Sequence, residues 1–330
     1  MRLRPHVLAL GLAALSASSR ASAWDGVAAS TGVGSARVVV WSDDEARVSA
    51  DDGARFVPLA LPPSKGGIVR AAITSSGAVA VARSASVKEG WASEVVVVRP
   101  DGGTRTIDLT ADGGTTHGDD RVVVALDDDL VVMSDRRVSW SQDGGRTFDA
   151  ASIPTSAPPL AEWYDVTRTS AGLLFVDVEI DTCGSSDVLQ WQRLLQLGPR
   201  ATTPTSAPLV TQPFQVSRWR FGAFGWLYAT TGAGELVARG GGGVAKVVGA
   251  PAEGGLLVGH NGRTTLALRG ATLMELGGGT ATTLHGQAPR LEDLAVDASG
   301  RALGVDARGA VVRFSRRTGW STVLAEEPRP

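Results

Sequence analysis

The sequence predicts an all-β chain built from a repeated four-stranded unit, and three observations lead there. First, glycine-rich turns recur at roughly 40 to 50 residues, at 49–56, 99–104, 141–148, 198–200, 240–243, 277–279 and 315–319, a period in the range of propeller blades. Second, a strand, a small turn and another strand precede each of the last six. These pairs are 71–74 with 78–82, 122–126 with 130–133, 166–169 with 173–178, 221–228 with 236–239, 256–259 with 265–268, and 294–297 with 302–305. Asp, Gly and Ser punctuate them, as hairpins require. Third, no segment keeps a helical period over three turns. Residues 189–197 come nearest and read as a strand with a long approach loop. The prediction is a β-propeller of seven four-stranded blades. The alternative is six blades with the first unit incomplete. A two-sheet sandwich would not explain a repeat of this length.

The chain opens like a secretory leader. Arg2 and Arg4 form a positive start, 7–15 is a short apolar run, and Ala21-Ser22-Ala23 is an A-x-A cleavage site. The expected organisation is a signal peptide over 1–23, one propeller domain over 24–326 and a disordered tail over 327–330. The apolar run is too short to span a bilayer, and no Cys follows it to carry a lipid. The expected product is soluble and monomeric, in the periplasm or outside the cell. Expected blade limits are 30–63, 66–112, 117–156, 160–210, 213–251, 254–288 and 289–326. Blade one looks short of a strand, so residues 24–35 are expected to pair with the last blade and close the ring, because an open ring would leave sheet edges exposed. Blade four is the longest, with its extra length around 180–192, where a functional loop is expected.

Two of the turns share a pattern. Ser141-Gln142-Asp143-Gly144-Gly145-Arg146-Thr147-Phe148 reads Ser-x-Asp-x-Gly-x-Thr-aromatic, and Ser49-Ala50-Asp51-Asp52-Gly53-Ala54-Arg55-Phe56 repeats it with Arg55 in place of Thr. Each residue type has a structural task. The Asp carboxylate accepts N–H groups of its own turn. Gly53 and Gly145 supply a left-handed backbone, Ser141 and Thr147 bond across the turn, and Phe148 enters the layer between sheets. The pattern resembles the Asp-box, or BNR repeat, of sialidase-like β-propellers. That resemblance implies an exported propeller whose boxes stabilise the fold away from the active face.

Candidate site residues come from the starts of the inner strands, where propeller ligands usually bind. They are Arg70; Asp119, Asp120 and Arg121; Glu162, Trp163, Tyr164 and Asp165; Arg218, Trp219 and Arg220; and Glu292 and Asp293. Opposite charges stand beside aromatics, as in a pocket for a sugar or a peptide. The blander reading is a solvated channel mouth whose salt bridges are worth little each. Trp163 and Trp219 are expected partly exposed there. Trp41, Trp140, Trp191, Trp226 and Trp320 are expected between blades. The family resemblance implies a second reading, a glycoside hydrolase with Tyr164 as nucleophile, Glu162 as its partner and Asp120 as acid/base. Arg70, Arg218 and Arg220 would then grip a carboxylate. The Arg-Ile-Pro motif of that family is absent, however, with only Arg37 in its region. The first reading is therefore a non-catalytic binding or assembly scaffold for a protein or glycan partner.

Composition narrows the other classes. A formal net charge of −2 gives nucleic acid no attraction. Cys183 is the single cysteine, so no internal disulfide forms. No cofactor or metal site is expected. His117, His260 and His285 lack zinc spacing. Asp127, Asp128 and Asp129 read as a solvated turn, since a calcium ion needs six or more oxygens. Gly240 to Gly243 lacks the Lys-Ser/Thr of a phosphate loop.

Overall fold

A computed structural model describes residues 24–34, 36–64, 66–84, 92–110, 123–134, 137–152, 161–169, 172–181, 189–198, 205–208, 219–240 and 243–325. Side chains in blade four are described at 165–168, 172–173 and 195–198. Each expected repeat becomes one four-stranded antiparallel sheet, and the seven sheets form a β-propeller. The blades occupy 26–58, 68–108, 123–152, 161–208, 220–246, 256–285 and 291–324. In every blade the four strands pair in sequence order. The first strands touch one another around the ring and line the channel. They are Gly26–Ala29, Ile68–Ile73, Val123–Leu126, Ala161–Thr169, Arg220–Phe221, Leu256–His260 and Leu291–Val296. All seven recurring turns join a third strand to a fourth. Antiparallel order puts them on the same face as the turns joining first to second strands.

The core is a set of layers between blades. One cluster joins Val131 and Trp140 of blade three to Val166, Leu173 and Leu197 of blade four. Another joins Leu266 and Leu268 to Leu294, Val312 and Phe314 across blades six and seven. The tryptophan expectation holds at Trp41, Trp140, Trp226 and Trp320, each in a cluster shared by two blades. The side chain of Trp191 lies outside the described residues. Alternation explains this layering: both faces of each blade meet a neighbour, so middle strands such as Val79–Ser84 and Asp129–Ser134 are buried at every position.

Ring closure differs from the expectation. Gly26–Ala29 pairs with Val38–Trp41 in its own blade and adds no strand to blade seven. The last blade is complete from its own four strands. The seam is closed instead by side chains and single contacts. Trp24 N–H donates to the Gly309 carbonyl at 3.1 Å. Trp24, Val27, Val38 and Val40 pack on Leu303, Val305 and Val311. Outside that layer the Asp52 carboxylate bonds Arg301 and Arg313, the latter at 3.0 Å. The apparent shortness of blade one is real only in its fourth strand, Val57–Pro58.

Two other readings change. Much of blade four's extra length is strand rather than loop: Gly172–Asp181 pairs with Leu189–Leu197 as far as Asp181 opposite Leu189. In blade five the expected strand over 221–228 is broken. Arg220–Phe221 and Leu227–Thr230 flank a 3-10 turn at Ala223–Gly225. Gly222 lies so close to Tyr228 and Thr265 that a β-carbon there would sit 2.5 Å from the Tyr228 ring.

The two Ser-x-Asp-x-Gly turns have the same internal bonding. Ser49 Oγ donates to Asp51 at 2.7 Å and accepts Gly53 N–H at 2.8 Å. Ser141 Oγ donates to Asp143 at 2.8 Å and accepts Gly145 N–H at 2.7 Å. Both glycines press on the preceding blade. A β-carbon on Gly53 would sit 2.7 Å from Val323, and one on Gly145 2.5 Å from Val97. The preceding blade also reaches back: Arg313 donates to the Asp52 carbonyl at 2.8 Å and Arg105 to the Arg146 carbonyl at 2.9 Å. Arg105 lies 5.2 Å above the Phe148 ring, which packs against the layer between blades two and three. Each turn is thus a clasp between neighbouring blades.

Asp143 makes one clasp sensitive to acid. Slight desolvation opposes the charge of this exposed carboxylate, but the Thr147 N–H and hydroxyl, the Ser141 hydroxyl and the Arg146 N–H outweigh that and hold its pKa at about 2. The unfolded value is about 3.9. A depressed folded value contributes stability that is full above the unfolded value and is lost as pH falls toward about 2. Urea unfolding of Asp143→Ala against the parent should therefore show a cost that is steady from pH 7 to about 5 and narrows between about pH 4 and 2. A pH-independent gap would mean that the ionised carboxylate is not what holds the turn.

Candidate functional site

The first strands enclose a narrow channel cavity of about 90 Å³. Its wall is mostly small and apolar, with Val27, Ala28, Ala29, Ala71 and Ala295, and its polar groups include Arg70, His260 and Asp293. Propeller geometry explains the small residues, because seven strands converge on one axis.

The predicted site residues do not gather into one polar pocket among the described residues. Arg70 and Asp293 line the channel. Arg220 is half-buried and Glu292 exposed. Asp119, Asp120, Arg121 and Arg218 lie outside the described residues, and so do Cys183 and His117. Glu162, Trp163 and Tyr164 lie in the first strand of blade four, where only their backbone is described. Trp219 corrects the expectation of partial exposure: it is 2% exposed and packs with Phe221, Leu227 and Val237. The apolar side chains of blade five's own strands enclose its indole.

Asp165 and Asp293 occupy equivalent positions, each just after a bulge in its first strand. The bulge re-aims the side chain toward the next blade. Asp165 is 1% exposed. One of its oxygens accepts Val166 N–H at 3.0 Å and the other Phe221 N–H at 2.8 Å, across the seam to blade five. Asp293 accepts Leu294 N–H at 2.9 Å and Val27 N–H at 3.2 Å, across the seam to blade one. Arg70 follows the equivalent bulge of blade two. These carboxylates serve as struts between blades. Tyr228, the other tyrosine, is fully buried. Burial raises its pKa to about 12 even though its oxygen accepts Gly278 N–H. Its ring lies in the layer between blades five and six.

Asp127 and Asp128 form the exposed turn that was expected, and Asp129 departs from it. Asp127 accepts from the Ser75 hydroxyl at 2.6 Å, and Asp128 from Ser76 N–H at 2.6 Å. Asp127 N–H donates to Thr31 at 2.9 Å. Asp129 is buried and bonds Arg168 of blade four. Burial raises the pKa of Asp129 despite that cation. The three carboxylates thus face separate partners. Among the described residues no three His, Cys, Asp or Glu side chains are placed to hold a metal ion.

Sequence reasoning missed a polar cleft of about 350 Å³ on the turn face between blades two and three. Ser76, Arg99, Asp101, Asp128, Asp143 and Arg146 line it. These residues come from four separate turns, and no linear motif unites them. A neighbouring groove of about 260 Å³ runs along the exposed fourth strand of blade two, Thr104–Asp108. Buried arginines were missed as well. Arg83 and Arg269 stand opposite the first residues of their blades' inner strands. They hold the incoming linker by the carbonyls of Pro62 at 2.7 Å and Ala252 at 2.8 Å.

No protein-family model matches the chain, and neither does any curated protein sequence. Solved structures do. The chain is similar to YCF48 bound to D1 peptide, with a TM-score of 0.59 and 12% identity over 89% of this chain and 92% of that one. YCF48 from Cyanidioschyzon merolae gives 0.59 and 14% over 90% and 97%. The β-propeller domain of the trilobed protease from Pyrococcus furiosus, described as having an open velcro topology, gives 0.59 and 10% over 94% and 100%. At these identities the likeness is one of fold.

Proposed function

We infer that this chain is a non-catalytic propeller scaffold that binds a protein or peptide partner, with a glycan as a further candidate ligand. The observation that carries the reading is the use of Asp165 and Asp293 as struts, with both oxygens of each engaged by backbone N–H groups. A hydrolase would need its carboxylates turned to one reacting atom. The described part of the channel offers small apolar side chains and few charges. A structural neighbour, YCF48, is a propeller bound to a peptide, which supports a peptide or protein ligand here. The two Ser-x-Asp-x-Gly clasps support membership of the Asp-box propellers. The start of the sequence supports export, with cleavage near Ala23 leaving Trp24 at the blade-seven seam. Among the described residues no helix is long and apolar enough to cross a membrane.

The test is thermal unfolding of the chain from Trp24 to Pro330 with peptides, glycans and cell-wall fragments. A ligand at a hundred times its dissociation constant adds about 2.7 kcal/mol. The expected result is a shift with peptides that Arg70→Ala or Arg218→Ala removes, and no turnover of any glycan. Release of free sugar by the parent protein would overturn the reading, as would a panel with no shift at all.

A further inference from the structure

We propose that Phe224, at the tip of blade five, is the anchor by which this propeller docks an acidic protein segment carrying an apolar side chain. The inference rests on the binding reading above and moves the contact to the face that bears the turns. Phe224 is 81% exposed. Its backbone is left-handed, with φ 59° and ψ 24°. Glycine and asparagine favour that region, and a bulky aromatic there is a true outlier. The fold asks for neither the ring nor the strain at this position. The turn is held by its neighbours: Ala223 is buried and its N–H donates to Thr265 Oγ1 at 2.7 Å, Gly222 N–H donates to the Trp226 carbonyl at 2.7 Å, and Gly225 takes φ 74°. The backbone outlier, carried by a solvent-facing aromatic that contributes nothing to the core, points to a role outside the chain.

The charge around this tip selects the partner's sign. Phe224 lies between the first and second strands of blade five, hence on the same face as the equivalent turn of blade six and the last turn of blade seven. Those turns carry exposed Arg263 and Arg317. Neither guanidinium has a hydrogen bond or ion pair among the described residues. Two carboxylates of blades six and seven are already matched, Asp297 with Arg301 and Glu275 with Arg316. An acidic segment lying across this face therefore meets an apolar anchor and two cations that are unmatched among the described residues, whereas a basic one would meet repulsion. Aromatic anchors with flanking arginines are the residue types that dominate binding surfaces.

The test uses fluorescein-labelled decapeptides alternating Glu with Leu and Phe, against the same peptides with Lys for Glu, read by fluorescence anisotropy. The acidic probe should bind the parent protein. It should bind at least about tenfold more weakly to Phe224→Asn, Phe224→Gly and the Arg263→Glu/Arg317→Glu double variant. The Lys probe should bind poorly. Because the substitutions at Phe224 relieve backbone strain, both single variants should melt no lower than the parent. Equal binding to Phe224→Asn, no binding of the acidic probe, or a lowered melting temperature in both Phe224 variants would overturn the proposal. Binding that survives Phe224→Asn but is lost in Arg70→Ala would sink this inference and leave the scaffold reading standing. Phe224-dependent sedimentation with phosphatidylcholine/phosphatidylglycerol vesicles, without probe binding, would assign the tip to a lipid surface instead and refute a protein segment.

Discussion

Trp24→Ala is expected to lower the unfolding free energy by about 3–5 kcal/mol, the usual cost of deleting a large buried aromatic. Trp24 is 2% exposed and sits where blade one meets blade seven. Its ring packs with Val27, Val38 and Val40 against Leu303, Val305 and Val311, and Arg47 lies 5.3 Å over it. No strand is shared across this seam, so packing and a few bonds must hold the ring shut. The loss should appear as a lower urea midpoint. It should also speed hydrogen exchange in Gly26–Ala29 and Val311–Ser315 ahead of the other blades. Trp24→Phe separates packing from polarity. The indole Nε1 is buried with no hydrogen-bond partner, so a ring without it should cost only about 1.5 kcal/mol or less. An unmoved urea midpoint in Trp24→Ala would show that the seam is held elsewhere, for example by Asp52 with Arg301 and Arg313.

Asp165→Ala should destabilise by roughly 2–6 kcal/mol, because it leaves two buried N–H groups unpaired at about 1–3 kcal/mol each. Those groups are Val166 N–H in blade four and Phe221 N–H in blade five. Asp293→Ala removes the same pair of contacts at a half-buried position, where water can replace them, so its cost should be smaller. Asp165→Asn keeps one acceptor oxygen and should fall between parent and alanine. The measurement is urea unfolding of the three variants. It also separates the strut from a ligand-binding role. A strut loses stability first, while a binding carboxylate would leave the midpoint unchanged and lose ligand. An Asp165→Ala protein that melts with the parent would reverse the assignment.

The blades were legible because their signals are local. Glycine turns at 99–104, 141–148 and 277–279 mark third-to-fourth strand connections through backbone geometry alone. The Ser-Asp-Gly pattern specified hydrogen bonds within five residues, and the clasps at Ser49 and Ser141 form as that pattern requires. Residues 189–197 form the expected strand. The candidate site was far less legible. Charge and position in the sequence placed Asp165 and Asp293 near the channel, yet a bulge turns each toward the neighbouring blade. Trp219 looked like a rim aromatic and is core. The turn that presents Phe224 was read as continuous strand, because Gly222 and Gly225 act through close approach to Tyr228 and Thr265 and through a positive φ.

The sequence by itself determined the all-β class, the repeat and the places where the chain turns, because those follow from alternation, glycine and short-range hydrogen bonding. Only the tertiary structure decided which blade each side chain serves. Asp165 meets Phe221 across 56 residues and Val27 meets Asp293 across 266. Such partners are chosen by ring geometry, which brings the last blade beside the first. The same geometry decided that the ring closes by packing on Trp24 rather than by a shared strand, and that the strained ring of Phe224 faces solvent.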